Sequence, residues 1–220
     1  MKNIAVIGAG IIGICTAFFL QKSGLKVTII DKEPPGSMTS FGHACTFADY
    51  ANVPVNSPLL FKNIPSMLLS SDGPLAIDWL YILTHLPWAI RFLRNCTHKR
   101  VQHIAHSLSS FSSHAELSYE EIFNEVNVSE YIVNKEPIFL YETRKLFEEA
   151  RFSFDLRKKY NVGFDILSKE KILELEPSLK PVFYNGIIYK GESFTRSPIK
   201  ITKKIFDNFI NNGGQFILSE

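Results

Sequence analysis

The chain has 220 residues, of which 45% are hydrophobic and 21% charged, the balance of an ordinary soluble globular protein. Its net charge of +2, with both signs interspersed, excludes a polybasic footprint for nucleic acid. Cys15, Cys45 and Cys96 are widely separated and odd in number, which excludes a disulfide framework and a zinc knuckle.

The N-terminus opens directly into an apolar strand, leaving no room for the parts of a signal peptide, and this predicts a cytoplasmic-side location. Lys2 to Ile7 runs into Gly8-Ala9-Gly10-Ile11-Ile12-Gly13, an apolar helix follows to Ser23, and a second strand, Lys26 to Asp31, ends on an acid. That order is the βαβ unit of dinucleotide-binding proteins. Gly8 makes the tight turn, Gly10 admits a pyrophosphate to the backbone, and Gly13 permits close packing of the helix. A phosphate is favoured at the helix start by free N–H groups and the positive dipole end.

Asp31 follows Gly13 by 18 residues, near the spacing of about 20 at which an acid accepts hydrogen bonds from ribose hydroxyls, and its charge disfavours NADP. Ile11 and Ile12 at the helix start, and Lys32 beside the acid, complete this first candidate set. Both strands read as apolar runs, which predicts parallel strands buried on both faces. At this point NAD and FAD fit equally well.

Pro34-Pro35-Gly36-Ser37 ends the regular structure. The longest apolar stretch, Leu75 to Leu93, contains Asp78, His85, Pro87 and Arg91, which argues against a spanning helix and leaves a membrane surface open to it. Residues 101–123 predict a long amphipathic helix or helix pair, with Val101, Ile104, Leu108, Phe111 and Ala115 on one side. His103, His106 and His114 fall opposite, on a polar face without a metal-ligand pattern. Residues 137–142 predict a strand, Thr143 to about Tyr160 a charged helix, and Val162 to Leu167 and Tyr184 to Lys190 two more strands around a short helix stopped near Pro177. Ser197 and Pro198 predict the N-cap and first position of a last helix, Gly213-Gly214 its stop, and Gln215 to Leu218 a strand.

Met38-Thr39-Ser40-Phe41-Gly42-His43-Ala44-Cys45 resembles the Ser-aromatic-small-Asn-Ala-Gly signature of the D-amino-acid oxidase and dehydrogenase family of FAD enzymes. Leu86 to Cys96 is similar to that family's Pro-Trp, Arg-Phe helix. Glu174 to Leu179 resembles its Glu-Pro-x-Leu step, and Gly191 to Pro198 its turn back into the flavin domain. The four segments, in order, cover nearly the whole chain. His43 stands where the family usually has Asn, and Cys45 where it usually has Gly.

The resemblance implies an α/β fold: a Rossmann-like, glutathione-reductase-like FAD-binding βαβ domain with an inserted helical plus sheet substrate domain. It divides the chain at 1–50, 51–194 and 195–220, and implies that Ser40, Phe41, Gly42, His43 and Ala44 lie along the flavin. It implies FAD as cofactor, an amino-acid substrate oxidised at its C–N bond by hydride transfer to flavin, and oxygen or a membrane quinone as electron acceptor. In that family the strand at Gln215 is only the third of the sheet, so the residues read as the N-terminal half of a longer protein. The Arg that clamps a substrate carboxylate is then expected later, and no catalytic residue is assigned here. An NAD-dependent dehydrogenase and an inactive nucleotide-binding fragment are the alternatives.

Overall fold

The computed structural model describes residues 2–59 and 78–219. In chain order these form β1 (Asn3–Ile7), α1 (Ile11–Lys22), β2 (Lys26–Asp31), β3 (Thr46–Phe47), α2 (Trp79–Thr84), α3 (Leu86–Arg94), α4 (His98–Ser112), α5 (Ala115–Val126) and β4 (Ile132–Val133). There follow β5 (Ile138–Tyr141), α6 (Arg144–Glu149), α7 (Arg151–Lys159), β6 (Phe164–Leu167), α8 (Lys169–Leu175), β7 (Asn185–Tyr189), β8 (Ser193–Thr195), α9 (Pro198–Asn211) and β9 (Gln215–Leu218).

Two compact units result. One comprises Met1–Ala48, Glu116–Lys135 and Gly191–Glu220; the other comprises Asp49–Ala115 and Glu136–Lys190. Residues 116–135, grouped with the middle block on sequence, belong to the first unit. The reason is packing: Ile122, Val126 and Val128 are buried in the same core as α1 and α9.

The first unit carries a parallel sheet of order β1-β2-β9. Val6 pairs with Ile29 and Ile29 with Phe216, so these three side chains share the face that meets the core. There Ile14, Ala17 and Phe18 of α1 meet Val27 and Ile29 of β2 and Ile201, Ile205 and Phe209 of α9. Each such buried large side chain contributes roughly 1.5–3 kcal/mol. Gln21 donates from Nε2 to the carbonyls of Phe209 and Asn212, satisfying the end of α9 from α1.

The opposite face departs from the expectation of strands buried on both sides. Ile7, Ile30 and Ile217 align in register there, and Ile7 is 78% exposed. Among the described residues of this unit, the helices that bury the sheet all lie against the Val6–Ile29–Phe216 face. A second, antiparallel sheet of order β3-β8-β4 also belongs to this unit; its two- and three-residue strands carry no legible alternation.

In the second unit β7 lies between β5 and β6, antiparallel to both. Phe147 and Phe154, from α6 and α7, pack on Ile187 and Tyr189 of β7. Tyr50 stacks on Tyr189 with ring centroids 4.3 Å apart, and Arg157 donates from Nε to the Tyr50 carbonyl at 3.1 Å. The charged helix expected over 143–160 is broken at Ala150 into α6 and α7, with the Thr143 hydroxyl capping the first.

The helix pair expected over 101–123 is found as α4 and α5, but its apolar side is not buried as a whole. Val101 and Ala105 are fully buried, whereas Leu108 and Phe111 are exposed, Phe111 to 81%. The buried stripe of α4 is thus narrow, and it is set by what Leu156 and its neighbours cover.

Candidate cofactor site

The glycine-rich loop joins β1 to α1 wholly within the first unit. Gly8 has φ of +107°, a conformation that side chains rarely adopt, and its N–H donates to the Ile30 carbonyl at 2.8 Å. Gly10 occupies the N-cap of α1 with extended backbone and no side chain to cap the helix. A Cβ on Gly10 would meet the Ser40 hydroxyl at 3.1 Å, and one on Gly13 would lie 1.9 Å from the carbonyl oxygen of Gly8.

Three of the predicted pieces converge here. The Ile11 N–H donates to Ser40 Oγ at 2.9 Å, across 29 residues of chain, and Ser40 is buried. The Ala9 N–H donates to Asp31 Oδ2, and the Glu33 N–H to Asp31 Oδ1 at 3.0 Å. These bonds, Ala9 foremost and then Glu33, hold the Asp31 carboxyl below its ordinary value. An ionised carboxylate only accepts hydrogen bonds, so at neutral pH Asp31 suits ribose hydroxyls and opposes an added phosphate.

The residues fit a dinucleotide. The first-turn N–H groups of Ile12 and Gly13 have no partner one turn earlier in the helix, glycines leave the backbone bare, and a carboxylate closes the end of β2. Lys32 is exposed beside Asp31, and Ile12 is 80% exposed at the helix start.

The second predicted stretch is less tightly gathered. After Ser40, Phe41, Gly42, His43 and Ala44 are all exposed, and it is Ser40 alone of the five whose side chain reaches the glycine loop among the described hydrogen bonds. His43 lines a cavity of about 120 Å³ together with Ile11, Cys15, Phe47, Thr195 and Thr202. Its Nδ1 accepts from the Cys45 N–H at 3.2 Å, so the neutral ring directs an Nε2–H donor outward. Cys45 itself has φ of +67°, the left-handed conformation that a glycine adopts without strain. Burial pushes the Cys15 thiol up to about 11, which keeps it protonated in the cavity wall.

Sequence reasoning passed over three residues. Ala9 is buried at the centre of the loop and binds Asp31 through its N–H. Gly36 has φ of +70°, donates to the Ala9 carbonyl at 2.8 Å and packs under Ile199 and Thr202; the Pro-Pro-Gly-Ser run was legible only as a break. Thr195 is buried, and its N–H holds the Cys45 carbonyl at 2.7 Å, tying β8 to the loop.

A parallel βαβ unit with this loop, and with an acid at the end of its second strand, defines a dinucleotide-binding protein of the doubly wound class. Residues 3–220 match the family described as FAD dependent oxidoreductase, and the chain belongs to that family. FAD is the family's cofactor. The chain is 28% identical over 219 residues to a D-amino-acid oxidase of Bradyrhizobium diazoefficiens, covering 98% of this chain and 52% of that protein. It is 25% identical over 181 residues to a D-amino acid dehydrogenase of Rhodopseudomonas palustris, covering 82% and 43%. The chain therefore spans about half the length of the curated relatives it matches.

Among solved structures, glycine oxidase from Geobacillus kaustophilus superposes with a TM-score of 0.61 at 17% identity, over 99% of this chain and 47% of that one. L-alpha-glycerophosphate oxidase from Mycoplasma pneumoniae, solved with FAD bound, gives 0.61 at 16% identity over 99% and 45%. These likenesses establish the shared fold.

Proposed function

We propose that this chain supplies the nucleotide-holding part of an FAD-dependent oxidoreductase that acts on the C–N bond of a D-amino acid or related amino acid. The observation that carries the reading is the junction of Asp31, Ala9, Ile11 and Ser40, which brings the glycine loop, the ribose-selecting acid and the 38–45 segment into one cluster. The names of the relatives, D-amino-acid oxidase and D-amino acid dehydrogenase, support the substrate class.

The chemistry that bound FAD supplies is acceptance of hydride from the substrate α-carbon, after which water hydrolyses the imine to an oxo acid and ammonia. The chain's own residues bind and orient. Gly8 and Gly10 would leave the backbone open to a pyrophosphate, the start of α1 would meet its charge, and Asp31 would accept from ribose hydroxyls. His43, which lines the cavity beside Ile11 and Cys15, would present its Nε2–H as a donor to the flavin. Ser40 fixes the Ile11 N–H and so positions the first turn of α1, which would hold the phosphates.

Titration of the full-length protein with FAD, followed by quenching of flavin fluorescence, tests the reading, with NAD and NADP as competitors. Quenching that NADP does not reverse, and that Asp31→Ala and Gly10→Val abolish, is the expected result; the isolated 220 residues should retain FAD poorly. A full-length protein that binds NAD in preference to FAD, or neither, overturns it.

A further inference from the structure

We propose that Asn212 is a modification site, where the side-chain amide is lost spontaneously to give aspartate or isoaspartate at a rate set by opening of the last turn of α9. The chain contains two Asn-Gly pairs, Asn185-Gly186 and Asn212-Gly213. At such a pair the reaction needs no enzyme. The main-chain nitrogen of the glycine gives up its proton and attacks the Asn side-chain carbonyl carbon; a C–N bond forms, the amide nitrogen leaves as ammonia, and a cyclic imide results. Water then opens the imide at one carbonyl or the other, so that asparagine and water become an aspartyl or isoaspartyl residue and ammonia. Glycine favours the attack because no Cβ hinders its nitrogen and its backbone turns freely.

The fold places the two pairs in opposite surroundings. Asn185 and Gly186 lie in β7, the middle strand of its sheet, where Gly186 is buried and pairs with Leu140 on one side and Leu167 on the other. A Cβ at Gly186 would meet the Phe139 carbonyl oxygen at 2.7 Å, so neighbouring main chain closes over this pair. Asn212 and Gly213 are exposed and stand at the stop of α9, with Asn212 as the C-cap. The stop itself fixes the reactive pair. Gly213 has φ of +89°, and a Cβ on Gly214 would run into the Phe209 ring, so the turn requires both glycines where they are.

What restrains Asn212 is a short set of hydrogen bonds. The Gly213 N–H, the group that must lose its proton, donates to the Ile210 carbonyl at 2.9 Å. Asn212 Nδ2, the leaving nitrogen, donates to the Asn208 carbonyl at 2.9 Å and to Asn208 Oδ1 at 3.0 Å. Gln21 Nε2, reaching from α1, donates to the carbonyls of Phe209 and Asn212 and steadies the whole turn. These bonds all belong to one helix end, and helix ends open locally at far lower cost than the protein unfolds. Opening of that turn frees the attacking and the leaving nitrogen together. The products then weaken the same junction. An aspartate sets a negative charge at the negative end of the α9 dipole, and an isoaspartate lengthens the main chain ahead of β9, which pairs along β2 as far as Asp31.

Incubation of the full-length protein in mildly alkaline buffer, followed by peptide mapping and enzymatic methylation of isoaspartate, tests the proposal. The expected result is conversion at Asn212 at least about tenfold faster than at Asn185 in the folded protein, and within about threefold of it in urea, where neither pair is restrained. Gln21→Ala should speed conversion at Asn212 at least about threefold and leave Asn185 unchanged. Asn208→Ala, which removes one partner of the leaving amide, should act in the same direction. The Asn185 rate also reports folding, because a variant that unfolds converts both pairs. Conversion of Asn185 as fast as Asn212 in the folded protein overturns the proposal, as does a folded protein in which Asn212 stays intact. So does an Asn212 rate that neither variant changes while Asn185 remains protected.

Discussion

A Cβ on Gly13 would lie 1.9 Å from the carbonyl oxygen of Gly8, so the third glycine of the loop is required by the loop's own backbone. Gly10 is under a different constraint, because the nearest atom to its missing Cβ is the Ser40 hydroxyl at 3.1 Å. The two glycines therefore separate by experiment. Gly13→Ala should lose about 2 kcal/mol of stability in urea unfolding, since backbone has to move. Gly10→Ala should change stability by less than about 1 kcal/mol but weaken FAD binding at least tenfold, about 1.4 kcal/mol, by intruding on the pyrophosphate.

Ser40→Ala strands the Ile11 N–H at a part-buried site, and a stability loss of about 1–2 kcal/mol is expected. Ser40→Thr keeps the acceptor and should lose less. Comparing the urea midpoints of the two variants checks the assignment.

Asp31 gives a pH dependence of known sign. The Ala9 and Glu33 N–H groups lower its folded value, so the unfolded chain takes up the proton first as pH falls. Its contribution is complete above the ordinary carboxyl value of 3.8 and is lost as pH drops below that toward the folded value. Asp31→Asn should flatten the stability profile in that acid window. Thermal unfolding in a pH series from neutral to acid measures it.

Cys45 sits at φ of +67° where the resembling family usually has glycine. Left-handed backbone costs a side-chain-bearing residue roughly 1–2 kcal/mol, partly offset by the greater chain entropy of glycine. Cys45→Gly should therefore stabilise by up to about 1 kcal/mol, seen as a rise in Tm. Cys45→Val, branched at Cβ, should destabilise.

Cys15 and Cys45 are both partly exposed, but burial raises the Cys15 thiol to about 11 and so keeps it protonated. Cys15 should therefore react with a maleimide more slowly than Cys45 in the native protein. Stability supported by the protonated thiol should begin to fall as pH rises above its ordinary value of 9.0. Peptide mapping of the labelled chain, and alkaline unfolding of Cys15→Ala, check both statements.

The βαβ unit was legible because each part has a local cause: a positive φ at Gly8, a contact no Cβ survives at Gly13, an acid at the end of β2. The α9 boundary was legible too, although Ser197 occupies the N-cap without a side-chain capping bond. Residues 116–135 were not assigned to the nucleotide unit because their apolar spacing says only that a face is buried, not against what; Lys22, paired with Glu121 and Glu125, marks the partner only in three dimensions. The sheet of β3, β8 and β4 was hidden for another reason. Strands of two or three residues hold no period, and Thr195 binds Cys45 through main-chain atoms that leave no trace in side-chain identity. Within the 40–44 stretch, Ser40 is tied to the loop and His43 to the cavity, while Phe41, Gly42 and Ala44 rest on the family pattern alone.

The pairing of Thr28 with Gln215 has a consequence for how the molecule is made. β2 leaves the ribosome long before β9, and long before α9, the helix that seals the core over both. The growing chain must carry Val27, Ile29 and Phe18 unshielded while the second unit, nearly contiguous in sequence, can already collapse. Such long-range closure slows folding and exposes the nascent chain to aggregation, so the yield of folded protein should respond to chaperone supply and to growth temperature more than its final stability would suggest.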